Sequence, residues 1–403
     1  MSVAPICCLS GYCAGEHAIS SGALTGVPAT PEKQRMRIAY IINSVEGGGA
    51  ALPVPAIAAA LQKCGADIQI FALTRRDGRA VSAMSDAGLN LQVRAGGEKD
   101  HFSALIWLDQ KIAASRPDII WTSLTRATLL GQLVGLRRRI PVVSWQHKAF
   151  LRPTNRRLLR MMRRLSMLWV ADSNSVAAYT TKELHVPLSK LVTWPIFAGD
   201  ASAPQSKPWR RGQVLRIASL GRLHKHKGYD VLIDSLARLR GDSAHPPFEV
   251  TIAGTGDDRD LLLAKATAAG LTNLLFVGFI KDTRSFLASQ HLYVQPSRSE
   301  GFCVAAHEAM QAGLPVIATP VGEMANSILA GSTGYLVPPD DPEELAAALA
   351  RCLARPADLR AMGEAARERL LEKFGAARFE QIAAMIYGRL VERCLKARLP
   401  VTE

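Results

Sequence analysis

From Met36 onward, short β-branched and apolar runs alternate with helix-length segments, and the alternation occurs twice along the 403-residue chain. That is the pattern of βαβ units, whose parallel strands are buried on both faces and so read as continuous apolar runs. In the first half, strands are expected at 37–42, 68–73, 117–122, 141–145 and 168–171, with a helix at 54–63. Small, polar, Pro-bearing sequence at 197–208 interrupts the pattern. It restarts with strands expected at 214–220, 248–253, 274–277, 291–295, 315–318 and 335–337, and Ala/Leu/Glu/Arg-rich helices follow Pro342. A chain of this length exceeds one ordinary core. The expected fold class is α/β: a first domain at 36–196, a linker at 197–212, a second domain at 213–370, and helices at 371–403.

Residues 1–35 are Ser/Gly/Ala-rich, with no Lys or Arg before Lys33 to form a signal-peptide n-region. They read as a disordered tail, or as sequence upstream of a start at Met36. No window reaches the ~20 apolar residues of a spanning helix. The seven cysteines include no pair at zinc spacing and no disulfide framework, which fits a reducing, cytoplasmic location.

The formal charge is +14, and it is unevenly placed. Between Asp118 and Asp172 there is no acidic residue and there are eleven Lys/Arg. Within that stretch a helix is expected through residues 156–165, capped by Thr154 or Asn155, with Leu158, Met161, Met162 and Leu165 on one side. Arg156, Arg157, Arg160, Arg163 and Arg164 spread over the other side. They are either a solvated face or a surface for an acidic glycolipid acceptor or the anionic inner face of a membrane. Nucleic acid is not expected, because aromatic interleaving and nucleic-acid motifs are missing.

In parallel α/β sheets ligands sit beyond the carboxyl ends of strands, so the loops there carry the chemistry. Gly47, Gly48 and Gly49 follow the first strand and precede a helix, where backbone N–H groups can approach a phosphate, although a flexible turn reads the same way. Gly221-Arg-Leu-His-Lys-His-Lys-Gly228 opens the second domain's first crossover and presents Arg222 and Lys227, which suit a diphosphate or a solvated turn. Glu300 lies in a loop after a strand, with Glu308 eight positions on, just over two helical turns away. Carboxylates of this kind accept hydrogen bonds from sugar or ribose hydroxyls.

Read together, the GRL-x-x-x-KG loop, Ile-Ala-Gly254-Thr-Gly256, Phe-Val-Gly278-Phe, Pro296-Ser-x-Ser-Glu300-Gly-Phe, the E-x7-E pair, Ala-Gly-Leu-Pro-Val-Ile-Ala-Thr and Gly334-Tyr-Leu-Val-Pro-Pro resemble retaining glycosyltransferases of family 4. The resemblance is close from about Arg216 to Leu349 and weaker in the first half. It implies the GT-B fold, with two Rossmann-like domains, 36–196 and 213–370, facing across a cleft and the helices of 371–403 packing back toward the first, and a metal-independent transfer from a nucleotide-diphosphate sugar to a glycan or lipid-linked acceptor, as in cell-surface polysaccharide or lipopolysaccharide synthesis. It implies no cofactor. By resemblance, Arg222 and Lys227 hold the donor diphosphate, Glu300 the transferred sugar, and Glu308 the ribose. Gly301, Phe302 and Cys303 then pack around diphosphate and sugar, Gly278 and Phe279 cradle the base, Gly47 to Gly49 form the N-terminal glycine loop, and His147 lies near sugar and acceptor. The chain departs from the family pattern at Cys303, where Gly is usual, at His307, where an apolar residue is usual, after the N-terminal glycines, where Ala-Leu-Pro replaces Glu-Arg, and at Val321-Gly322-Glu323-Met-Ala-Asn, which lacks the second glycine. An epimerase on the same fold and a non-catalytic membrane-surface protein are the competing expectations.

Overall fold

The computed structural model describes residues 35–240 and 245–398; the expectations for residues 1–34, including the tail and Cys7, Cys8 and Cys13, lie outside the described residues. In the first domain β1 (Met36–Ser44) pairs in parallel with β2 (Ala66–Thr74) and β4 (Ile119–Ser123). With β3 (Asn90–Val93), β5 (Val142–Gln146), β6 (Ser166–Ala171) and β7 (Leu191–Thr193) it forms a seven-stranded sheet of order β3-β2-β1-β4-β5-β6-β7. The second domain holds β8 (Leu215–Leu220), β9 (Phe248–Ala253), β10 (Leu274–Gly278), β11 (Leu292–Gln295), β12 (Val316–Ala318) and β13 (Gly334–Leu336), in the order β10-β9-β8-β11-β12-β13. Two Rossmann-like domains are thus present. In each sheet the order reverses beside the first strand, at β1/β4 and β8/β11, and that switch point is where strand-end loops can open around a ligand. The central strands are apolar on both faces because helices cover both.

The first domain's helices are α1 (Val54–Lys63), α2 (Val81–Asp86), α3 (His101–Ser115), α4 (Thr125–Arg138), α5 (Pro153–Met162) and α6 (Asn174–Leu184). The second contributes α7 (Tyr229–Arg238), α8 (Arg259–Ala268), α9 (Thr283–Ala288), α10 (Val304–Gln311), α11 (Met324–Ser327), α12 (Pro342–Ala354) and α13 (Leu359–Phe374), and α14 (Ala376–Arg398) ends the chain. Pro53 and Pro55 fall at the cap and first turn of α1, where backbone N–H groups have no intrahelical partner to lose.

The expected inward stripe of α5 is corrected. Pro153, not a Thr154 or Asn155 cap, starts the helix, and Leu159 is the residue buried against Trp169, Leu184 and Val186. Leu158 and Met161 point to solvent, 41% and 69% exposed. The sequence period fits either leucine, and the choice falls to Leu159 because the sheet edge and α6 close over that side.

The chain crosses between the domains twice, and the crossings are hydrogen-bonded to each other. The Gly199 amide donates to the Phe374 carbonyl at 2.7 Å, and the Ala376 amide donates to Gly199 at 3.1 Å. From there α14 returns to the first domain, where Phe379 packs on Trp194 at 4.9 Å and Lys63 pairs with Glu380. Above the crossing, His307 stacks on Phe302 at 4.0 Å and meets Phe374 edge-on. Its Nδ1 lies 2.9 Å from the Cys303 carbonyl, which can only accept, so Nδ1 carries the proton and Nε2 accepts from the Ser327 hydroxyl at 2.8 Å. Burial pushes the His307 pKa down to about 3, and burial together with Arg216 pushes that of His291 to about 4.

Both histidines bind protons more readily unfolded than folded, so stability is full above the unfolded value of 6.5 and falls as pH drops toward 4. Replacing both with Gln should flatten the fall in Tm between pH 6.5 and 4, followed by calorimetry, relative to the parent protein. An unchanged slope would show that neither ring is held neutral.

Candidate active site

The loops at the carboxyl ends of β1, β5, β8 and β11 meet in the cleft between the domains. After β8, a single 3-10 turn at Lys225–Lys227 ends on Gly228, whose φ of 68° turns the chain into α7. A side chain there would collide with the Pro296 carbonyl, so only glycine lets this loop lie against the one after β11. The close approach places Lys227 Nζ 2.7 Å from Glu300 Oε1, which also accepts from Ser297 Oγ at 2.7 Å. Burial opposes the Lys227 charge, but the Glu300 carboxylate outweighs it and the ammonium pKa is raised. Arg222 remains 55% exposed and lies 3.4 Å from Glu46, on the residue before Gly47.

Gly47 to Gly49 therefore face Arg222 and the start of α10: a Cβ on Gly48 would touch Arg222, and one on Gly49 would touch Val304. The amide of Gly47 donates to Asp77 and that of Gly48 to the Glu46 carbonyl, so the loop is braced from within. Cys303 caps α10 at φ 66°, a left-handed conformation that a glycine adopts without strain. Burial, with Glu300 adding to it, holds its thiol strongly protonated. Phe302 has its ring in the core against His307, so only its backbone borders the cleft. Since α10 starts at Val304, Glu308 sits one turn into it and not two.

His147 directly follows β5 and borders Gly301 at the cleft. Its imidazole is buried, with Nε2 2.7 Å from Ser123 Oγ and Nδ1 3.0 Å from the Asp172 carboxylate. Asp172, a carboxylate that can only accept, takes the Nδ1–H, and Nε2 shares a hydrogen bond with the Ser123 hydroxyl. What His147 presents across the cleft is its carbonyl oxygen, against which a side chain at Gly301 would collide. Gly278 ends β10 with φ 74°, and the Phe279 ring lies under the Arg79 guanidinium at 4.2 Å.

Four residues at the cleft were not anticipated. Arg79 reaches from the first domain to Thr255 Oγ1 at 3.1 Å. Glu323 accepts from the Asn174 amide at 3.2 Å, at the N-terminus of α6. Glu46 pairs with Arg222 and Arg76. Lys148 stands beside Gly301, and burial together with Arg222 lowers its pKa. Each bonds or neighbours a partner more than a hundred residues away, apart from the Glu46–Arg76 pair, and no local spacing signals such contacts. The arginine face lies away from these loops on α5 and the turn after it; Arg156 is paired with Glu183, and Arg163 is folded onto backbone carbonyls.

Among the described residues no three His, Cys, Asp or Glu side chains group as a metal site. An Asp-x-Asp spacing does occur at Asp258-Arg259-Asp260, but at the start of α8, with the Asp260 side chain 97% exposed.

Among the described residues the Glu308 carboxylate has no ion-pair or hydrogen-bond partner, and burial pushes its pKa up to about 7 against a weaker pull from Arg284. The folded state then binds more protons than the unfolded between the ordinary value of 4.5 and about 7, so this group lowers stability as pH rises through that window. Glu308→Gln should raise Tm at pH 8 by roughly 1–2 °C and leave it unchanged at pH 4. A lower Tm at pH 8 would mean that the carboxylate is compensated in the unliganded protein.

Comparison with known proteins places this geometry. Residues 205–369 match the family model described as glycosyl transferases group 1, and residues 47–197 match that described as glycosyltransferase family 4. A glycogen synthase of Mycobacterium tuberculosis is 33% identical over 215 residues, covering 52% of this chain and 49% of the relative. The lipopolysaccharide core biosynthesis mannosyltransferase LpcC of Rhizobium leguminosarum bv. viciae is 31% identical over 203 residues, 49% of this chain and 56% of the relative. The chain thus spans about half the length of these curated relatives. The crystal structure of Anabaena Alr3699/HepE in complex with UDP-glucose superimposes with a TM-score of 0.77 at 20% identity, over 88% of this chain and 100% of that one. The fold is GT-B, and in both halves the chain resembles the group 1 glycosyltransferases.

Proposed function

We propose that this protein is a retaining glycosyltransferase that moves a sugar from a nucleotide-diphosphate donor to a glycan or lipid-linked acceptor without a metal. One observation carries the reading: Arg222 and Lys227, from the loop after β8, converge with Glu300 and the start of α10, opposite the glycine loop of the first domain. The names of the relatives support transfer of a hexose, and the UDP-glucose bound to the Anabaena protein makes uridine donors the first to try.

In this reading the diphosphate lies between Arg222, Lys227 and the N-terminal end of α10. When the glycosidic bond breaks, its electron pair passes to the departing phosphate oxygen, and the two cations stabilise that charge. The acceptor hydroxyl attacks the same face of the oxocarbenium-like sugar and gives its proton to the leaving phosphate. Glu300 is suited to hold sugar hydroxyls and not to act as nucleophile, because Lys227 and Ser297 already bond one of its oxygens. Glu308, the unpartnered carboxylate, takes the ribose hydroxyls. Lys148 adds a third cation from the acceptor side.

A thermal-shift panel of nucleotide sugars should give a stabilising hit, since a ligand that binds only the folded state raises Tm. With that donor, Arg222→Ala and Lys227→Ala should each lower kcat/KM by about a hundredfold or more. Arg222 is exposed, so its variant should fold normally and its loss of activity is diagnostic. NMR of the product should show the donor's anomeric configuration, and EDTA should leave the rate unchanged. Full activity in Arg222→Ala would overturn the diphosphate assignment, and EDTA inhibition reversed by a divalent ion would overturn metal independence.

A further inference from the structure

A carboxylate stands against the cation assigned above to the donor diphosphate. Glu46 lies in the loop after β1, just before Gly47, and its Oε1 is 3.4 Å from Arg222 Nη2 of the second domain. Its other oxygen, Oε2, accepts from Arg76 Nη1 at 2.7 Å. Arg76 in turn donates to both oxygens of Glu98, from Nε at 2.5 Å and from Nη2 at 2.8 Å. Charges therefore alternate along a row, Glu98, Arg76, Glu46 and Arg222, of which Arg222 alone belongs to the second domain.

The first-domain end of this row is fixed. Arg76 sits in the loop after β2 at φ 49°, a left-handed conformation that a residue other than glycine keeps only where its surroundings hold it. The Gly47 amide ties the two loops together by donating to Asp77 Oδ1 at 3.0 Å. With Oε2 bonded to Arg76, the Glu46 carboxylate, 21% exposed, keeps Oε1 turned to Arg222. A carboxylate beside a diphosphate site repels an anionic donor, and an ion pair with so exposed an arginine adds little to stability. Arg76 offsets the repulsion, and what Glu46 supplies is orientation. A guanidinium presents a planar fork of N–H donors, so contact through Nη2 leaves the other nitrogens of Arg222 for a phosphate. Without that contact the long side chain would have to be ordered when the ligand arrives.

We propose that Glu46 is a positioning residue for Arg222: anchored by Arg76, it aims the guanidinium over the glycine loop, so that the cation is in place when charge develops on the leaving phosphate. The proposal rests on the reading that Arg222 serves the donor diphosphate. Glu46 acts through Arg222 and takes no proton from the acceptor.

The test is a double-mutant cycle on the full chain, with the nucleotide sugar that raises Tm as donor and release of its nucleoside diphosphate as the rate. Glu46→Gln should lower kcat about tenfold, change the donor KM by less than about threefold, and leave Tm within about 2 °C of the parent. Arg222→Ala should lower kcat/KM about a hundredfold, and adding Glu46→Gln to it should lower it no further, because nothing is left to aim. Two residues acting independently would together lose about a thousandfold. Arg76→Gln, which releases the Glu46 carboxylate, should lower kcat in the parent and not in Arg222→Ala. Full kcat in Glu46→Gln, or a further loss when it is added to Arg222→Ala, overturns the proposal and leaves the diphosphate reading standing. Full activity in Arg222→Ala overturns that reading, and the proposal with it.

Discussion

The pairing of Lys227 with Glu300 is the contact on which the site depends. The two side chains are 22% and 11% exposed and come from loops that follow neighbouring strands of the second sheet. Ion pairs so little hydrated gain little net stability, because the desolvation of both charges offsets their attraction. Here the pair fixes a cation and a carboxylate at one spot before any ligand arrives, which keeps the reorganisation at the moment of charge development small. The glycine at 228 makes the pair possible by letting the two loops touch.

The same economy of backbone operates between the domains. Gly301 meets the carbonyl of His147, Glu323 meets the free amide end of α6, and Arg79 spans from the first domain to Thr255 and Phe279. Aromatic packing is concentrated at the two chain crossings, where Phe197, Phe302, His307 and Phe374 lie together. Cys303 in a left-handed conformation and the buried His307 bonded to its carbonyl both lie beside Glu300, so these two departures from the family pattern concern how this loop is held.

Much of this architecture is legible in the amino-acid order because parallel strands buried on both faces leave continuous apolar runs. Each expected strand occurs within two residues of its place at either end, and the Val54–Lys63 helix is as expected. The two missing strands, Asn90–Val93 and Leu191–Thr193, are short edge strands with little apolar run to read. The loops that carry Arg222, Lys227 and Glu300 are legible because strand ends carry their own punctuation of Gly and charge, whereas the roles expected of these residues came from the family resemblance. The contacts of Arg79, Lys148 and Glu323 are not legible, since they exist only after two domains fold against each other. The orientation of α5 was misread for a related reason: periodicity defines a stripe, but only packing decides which of two neighbouring leucines faces inward.

The account rests on the claim that Arg222 and Lys227 hold the second phosphate of a nucleotide donor. Titration calorimetry of UDP and UMP, or of GDP and GMP if the guanine nucleotide binds, isolates that phosphate. The diphosphate should bind more tightly than the monophosphate in the parent protein, by about tenfold or more for a charge-assisted contact, and that advantage should fall in Arg222→Ala and vanish in the Arg222→Ala, Lys227→Ala double variant. An undiminished advantage in the double variant would contradict it.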